Sequence, residues 1–172
     1  MNFTTFLLVF FFLNCAPPET TVLSASETNF HQAETQPDFS ARVIRIVDGD
    51  TLEVMYGELP VMIRLQHIDC PEIRSSQPFG KKAKQTLSDL CFGQIVEIEF
   101  SGEKDRNGRF ICVIFNESGI NVNQEMLKLG MAWHYKKYST DQEYDRLEEE
   151  ARQSKIGLWA DTYPTPPWQW RK

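Results

Sequence analysis

From residue 42 onward the chain sets apolar and polar positions in short runs, separated by Gly, Pro and Asn. Segments 42–47, 51–57 and 60–68 are strand-like, rich in β-formers and bounded by turn residues. Asp48-Gly49 joins the first two as a hairpin signal, a turn type that needs positive φ at both central residues. Gly57-Glu58-Leu59-Pro60 joins the next two. The pattern then changes to a helix over 80–91, stopped by Gly93. Two more strands, 95–100 and 109–115, flank a charged loop that ends in Arg106-Asn107-Gly108. A helix over 120–129 is stopped by Gly130, and a last one over 140–154 has few apolar positions but Glu/Arg pairs at helical spacing. Five short strands with a helix between the third and fourth predict an α+β domain: a five-stranded OB-type Greek-key β-barrel with three helices.

Ahead of this domain the pattern differs. Residues 1–15 read as an export signal, because the apolar run 6–13 is too short to span a bilayer. No Lys or Arg precedes that run, which is atypical of a signal. Phe12-Leu13-Asn14-Cys15 resembles a bacterial lipoprotein cleavage box, with Cys15 acylated, although Asn14 stands where a small residue is usual. Two readings stay open, a lipid anchor and ordinary secretion, and both place the protein outside the cytoplasm. Any membrane contact would then run through that anchor alone. Residues 16–40 are dominated by Pro, Ser, Thr, Glu and Gln and bury too little to offset chain entropy, so they read as a disordered spacer in which His31 is solvated.

An apolar content of 41% with twelve phenylalanines suffices for one core, placed at 41–160. A Pro/Trp-rich tail, 161–172, should pack with Trp159 against the barrel, and the protein is expected to be a monomer. Glu19, Glu27, Glu34 and Asp38 all precede the first base, leaving 20 acids against 18 bases in the rest, a net of −2. That balance neither recommends nor excludes a polyanionic partner. Cys70, Cys91 and Cys112 lack the spacing of a zinc site, and a Cys91–Cys112 bridge is one pairing open to an exported protein.

The hairpin does not need Asp50, a second carboxylate directly after its glycine. Asp69 ends the third strand, which runs antiparallel to the second, so Asp50 and Asp69 can meet at one rim. Paired carboxylates repel unless a cation neutralises them, and hard oxygen donors suit Ca²⁺ or Mg²⁺. Arg64, inside Val61-Met62-Ile63-Arg64-Leu65, must pair with an acid or meet an anion. Arg109 can reach the same rim, and two arginines suit bidentate phosphate contact. Glu72 is a third acid within reach, able to take a proton from an attacking water. Taken singly, each of these acids also has a plain reading as turn or loop chemistry, and Arg109 one as a surface strand charge. The combination is a phosphodiester-cleaving set.

Four ordered blocks carry a resemblance: Val47-Asp48-Gly49-Asp50-Thr51; Arg64-Leu65 with Ile68-Asp69-Cys70-Pro71-Glu72; Asp105-Arg106-Asn107-Gly108-Arg109; and Lys155-Ile156-Gly157-Leu158-Trp159. Together, over about 42–160, they resemble the staphylococcal nuclease (thermonuclease) family. The resemblance implies Ca²⁺ held by Asp50, Asp69 and the backbone carbonyl of Cys70, with Glu72 as general base. Arg64 and Arg109 would grip the scissile phosphate, and DNA and RNA would be cut by water to 3′-phosphate products. Cys70 replaces the family's usual threonine, and Asn107 a frequent tyrosine. Lys81, Lys82 and Lys84, with Arg74, Lys136 and Lys137, could form a basic rim for the polyanion, or a solvated face. Tyr135 and Tyr138 could stack on bases, or pack with Trp133 in the core. His67 and His134 read as structural, and the acidic run Glu148-Glu149-Glu150 is expected to face away from substrate. Two rivals keep the barrel without catalysis: a nucleic-acid- or protein-binding module, and an envelope lipoprotein serving as an adaptor.

Overall fold

The computed structural model describes residues 37–171. The export signal, Cys15, His31 and nearly all of the spacer lie outside the described residues. The barrel is closed in the order β1-β2-β3-β6-β5. Its strands are β1 (Phe39–Asp48), β2 (Thr51–Tyr56), β3 (Leu59–Leu65), β5 (Ile95–Lys104) and β6 (Phe110–Phe115). β3 and β6 run parallel and all other barrel pairs antiparallel, with β1 closing onto β5. Inward residues Val43, Leu52, Val54, Ile63, Leu65, Val96, Ile98 and Ile114 are all 1% exposed or less and form one core, so the alternation in the sequence does its expected work. Helices α1 (Gly80–Cys91) and α2 (Val122–Lys128) pack over that core through Ala83, Leu87, Cys91, Val122, Met126 and Leu127, and α3 (Gln142–Gln153) adds Tyr144 and Leu147.

Several boundaries move for identifiable reasons. β1 begins at Phe39, inside the expected spacer, because Phe39 pairs with Ile98 and the Asp38 carboxylate accepts the Phe100 N–H at 2.7 Å. The third strand stops at Leu65 rather than continuing to residue 68: His67 sits at φ 68° and breaks it. Ile68–Asp69 form a separate short strand, β4, paired with β7 (Trp133–His134), which the sequence pattern did not reveal. Asn121 caps α2 by accepting the Gln124 N–H, and Asp141 caps α3 by accepting that of Glu143.

The tail, expected to pack with Trp159 against the barrel, follows one short helical turn and holds another. A 3-10 turn (Gly157–Ala160) leads to a short helix, α4 (Pro167–Trp170). Trp159 and Trp168 pack on Trp133 at centroid distances of 4.3 and 5.8 Å. They form a small second cluster with Ala151 and Leu158, not a layer on the barrel core. The cysteine bridge does not form: Cys70, Cys91 and Cys112 are free, buried thiols, and burial pushes Cys91 and Cys112 up to about 12.

The hairpin between β1 and β2 is a two-residue connection, Asp48 opposite Thr51, but not through left-handed backbone. Gly49 is absent from the residues at positive φ. Glycine is required there by space: a Cβ on Gly49 would stand 2.8 Å from the Cβ atoms of both Cys70 and Ala83. Gly49→Ala should therefore destabilise the fold by about 1–3 kcal/mol through overpacking. Urea denaturation of the two proteins checks this; equal midpoints would mean that the contact yields freely.

Candidate active site

The hairpin tip, β4 and the end of β3 meet at one rim. Thr51 and Arg64 are cross-strand partners, which carries the Arg64 side chain to the tip of the first hairpin. Asp50 and Asp69 are 6% and 0% exposed, and Arg64 lies between them. Its Nη1 stands 3.1 Å from Asp50 Oδ2 and its Nη2 donates to Asp69 Oδ1 at 2.8 Å. The expected convergence of the two aspartates is thus present, across one guanidinium. Asp50 Oδ2 also accepts the Cys70 N–H at 2.8 Å, and Oδ1 accepts the Thr51 hydroxyl at 3.0 Å. Burial is the largest influence on Asp69 and holds its carboxyl above the usual range, aided by the Asp50 charge and opposed by Arg171 and Arg64.

Arg109 reaches the rim from the loop before β6. Its Nη1 donates to Thr51 Oγ1 at 2.9 Å, while Nε and Nη2 hold Asp105 Oδ2 at 2.8 and 2.6 Å. Asp105 further accepts the backbone N–H groups of Asn107 and Arg109. Burial alone would raise the Asp105 pKa, but these hydrogen bonds and the Arg109 charge hold it below the usual carboxylate value. The Asp-Arg-Asn-Gly-Arg block is therefore a turn whose first acid aims its last base. Asn107 itself is exposed.

Glu72 lies on the loop after β4, half-buried. Gln77 braces that loop, accepting the Glu72 N–H at 2.9 Å and donating through Nε2 to the Thr165 carbonyl at 2.7 Å. The Glu72 carboxylate is paired with Arg171, which also donates to Asp69 Oδ1 at 3.2 Å and Oδ2 at 2.7 Å. Sequence reading left Thr51, Asp105, Gln77 and Arg171 without a role. Thr51 and Asp105 fall within the quoted blocks, whereas Arg171 is 102 positions from Asp69 and carries no local signal.

The remaining expectations fare unevenly. Lys81 and Lys84 line an open groove of about 560 Å³ with Ile44, Arg45, Ile46, Ile73 and Phe92, separate from the acid pair, and Lys82 lies over the Phe79 ring. Lys136 is engaged by Asp145 and Glu148. Tyr135 stacks on Trp168, with interplanar angle 10°, and meets Tyr138 edge-on, and Tyr138 is 68% exposed, so neither belongs to the core. Trp133 does belong to a buried cluster. Within the acidic run expected to face away from substrate, Glu148 is 4% exposed and accepts the His134 N–H at 3.1 Å. His67 and His134 share the Ser139 hydroxyl at 2.8 Å each, as structural residues do.

The closed five-stranded barrel with its helices is an OB-type α+β domain, and paired acids and two arginine forks gather at its rim. Comparison with known proteins narrows that class. The profile of the family described as staphylococcal nuclease homologue matches residues 62–161. A protein of Escherichia coli O157:H7 named "Uncharacterized endonuclease" is 42% identical over 134 residues, 78% of this chain and 86% of that one. One of the same name from Haemophilus influenzae is 46% identical over 134 residues, 77% and 73% of the two chains. The "Micrococcal nuclease" of Shigella flexneri is 39% identical over 145 residues, 78% and 82%. The chain belongs to the staphylococcal nuclease homologue family.

The Thr51 hydroxyl donates to Asp50 and accepts from Arg109. Thr51→Val keeps the shape and removes that link, so it should lower stability by about 1 kcal/mol. Denaturant titration measures the change; an unaltered midpoint would show that the hydroxyl couples nothing.

Proposed function

We propose that this protein is an exported, Ca²⁺-dependent nuclease that hydrolyses phosphodiester bonds of DNA and RNA, leaving 3′-phosphate ends. The reading rests on one observation above all: two nearly solvent-free carboxylates, Asp50 and Asp69, meet across Arg64 at a barrel rim that Arg109 also reaches.

The donor chemistry fits a hard divalent cation. Asp50 and Asp69 supply carboxylate oxygens, and the carbonyl of Cys70 and waters would complete the set. Among the described residues no group of three or more His, Cys, Asp or Glu forms a ready metal cluster, so much of the shell would come from backbone and solvent. Buried thiol Cys70, 2% exposed and with its pKa raised well above the ordinary value by burial first and by Asp50 next, stays protonated and so brings no thiolate to compete as a soft ligand. When bound, the cation would neutralise negative charge on a phosphate oxygen.

The chain's own residues do the rest. Arg64 and Arg109 would present guanidinium nitrogens to the phosphate and stabilise the charge that gathers on its equatorial oxygens as water attacks. Glu72, held on a loop braced by Gln77, would accept the proton of that water. Tyr138 and Tyr135 offer exposed or half-exposed rings on which a base can stack. Lys81, Lys82 and Lys84 would act as a more distant electrostatic attraction for the backbone.

The test is cleavage of plasmid DNA and of RNA with Ca²⁺ and with a chelator. Degradation only with Ca²⁺ is expected; binding without cleavage would favour a non-catalytic module. Glu72→Gln should lower turnover by about two to four orders of magnitude while the protein stays folded. Arg64 needs a gentler change than truncation, because removing it strands two buried carboxylates. Arg64→Lys keeps the charge and loses the fork, and should also reduce turnover by at least about tenfold. Near-full activity in either variant would overturn the assigned role.

A further inference from the structure

Asp69 has no free oxygen. Oδ1 accepts from Arg64 Nη2 at 2.8 Å and from Arg171 Nη1 at 3.2 Å, and Oδ2 accepts from Arg171 Nη2 at 2.7 Å. Arg171 Nη1 also engages Glu72 Oε1. One guanidinium therefore spans both the acid expected to hold a cation and the acid expected to act as base. The side chain that does this is 38% exposed, whereas Arg64 is 12% exposed and walled in by the barrel. Of the two, Arg171 is the one free to leave.

Its mounting suits departure. Arg171 follows α4, a single turn of four residues. That turn and the stretch before it are tied down at a few points: the buried Pro166 and Pro167, Trp168 on the Tyr135 and Trp133 rings, Trp170 Nε1 to the Ser75 carbonyl at 3.2 Å, and the Thr165 carbonyl to Gln77. Such a segment opens locally at far lower cost than a barrel strand.

We propose that Arg171 is an internal cation that occupies the acid cluster in competition with the divalent ion, so that ion binding and docking of segment 163–171 exclude one another. The inference rests on the cation reading of Asp50 and Asp69. A divalent ion at Asp69 would face a guanidinium at hydrogen-bonding range, and like charges at that separation repel strongly in a poorly solvated cleft. Arg171 thus keeps Asp69 and Glu72 neutralised and ordered before the ion arrives, and releases both when it does.

The experiment uses the full chain without nucleic acid. Ca²⁺ is titrated calorimetrically into wild type, Arg171→Ala, Arg171→Lys and Asp50→Asn, and hydrogen exchange of residues 163–171 is followed with and without Ca²⁺. The expected result is about tenfold tighter Ca²⁺ binding by Arg171→Ala, since it no longer has to vacate a docked state. In wild type, Ca²⁺ should speed exchange of the Gln169, Trp170 and Arg171 amides, which donate to the Pro166 and Pro167 carbonyls. Asp50→Asn should abolish that acceleration. Arg171→Lys should bind closer to Arg171→Ala than to wild type, because a single ammonium cannot span two carboxylates. Weaker binding in Arg171→Ala would make Arg171 a positioning residue and overturn the competition. Wild-type Ca²⁺ binding that leaves segment 163–171 protected would overturn the competition alone. Absence of Ca²⁺ binding in both wild type and Arg171→Ala would overturn the cation reading and this inference with it.

Discussion

Asp50 and Asp69 are tolerable at 6% and 0% exposure because Arg64 sets one guanidinium nitrogen against each. Buried carboxylates this close would otherwise protonate or drive the hairpin tip away from β4. Arg64 can do this because it leaves β3 directly opposite Thr51, the residue that follows Asp50. The barrel register thus brings one fork to both acids. Arg109 joins from the far side of β3 because β6 lies parallel to it, with Phe110 opposite Ile63. The rim is a consequence of strand order.

Asp69 also belongs to a second structure. It sits on β4, opposite Trp133 of β7, and Trp133 is the ring on which Trp159 and Trp168 pack. Gly130 makes this possible: its backbone, at φ 62°, lies so near the Ile156 carbonyl that a Cβ would stand 2.2 Å from that oxygen. The Leu158 N–H donates to the Gly130 carbonyl at 2.9 Å. The Lys155-Ile156-Gly157-Leu158-Trp159 block is therefore a brace that fixes the far end of the acid cluster, although it carries no polar side chain to it.

What the sequence disclosed followed the range of the interactions. Alternation exposed the barrel strands, and the Asp-Gly-Asp-Thr and Asp-Arg-Asn-Gly-Arg blocks held their acids and bases within a few positions of one another. Asp69 was found, but as the end of a barrel strand, because nothing local announces that His67 adopts φ 68° and starts a new pairing. Gly49 was assigned for the wrong reason: hairpin statistics speak of φ, while the constraint is the approach of Cys70 and Ala83. β7 is two residues long, too short for any period to show. The Cys91–Cys112 pairing failed because spacing says nothing of where two buried thiols point. Arg171 was illegible, since its partners lie about a hundred positions away.

A different arrangement of hydrolytic residue types lies elsewhere in the molecule and shows by contrast what the rim has. Ser139 Oγ is 2.8 Å from His134 Nε2, and His134 Nδ1 is 3.6 Å from Asp145, the order of a nucleophile, a base and an orienting acid. Ser139 is only 7% exposed and its hydroxyl is shared with His67 Nδ1 at 2.8 Å. Asp145 is committed to Lys136 as well. A nucleophile must reach substrate, and this one is enclosed, bonded to His67, His134 and the Asp141 N–H, and tied into the packing between β4, β7 and α3. It joins His67, at its strained backbone position, to His134 and so helps fix the turn that starts β4. The rim differs: Arg64 is aimed from β3 and Arg109 from the loop before β6, its third acid stands on a half-exposed loop, and Arg171, which covers it, follows one helical turn. Arg171, at 38% side-chain exposure, is the accessible partner of the rim acids, whereas Ser139 is enclosed by the fold.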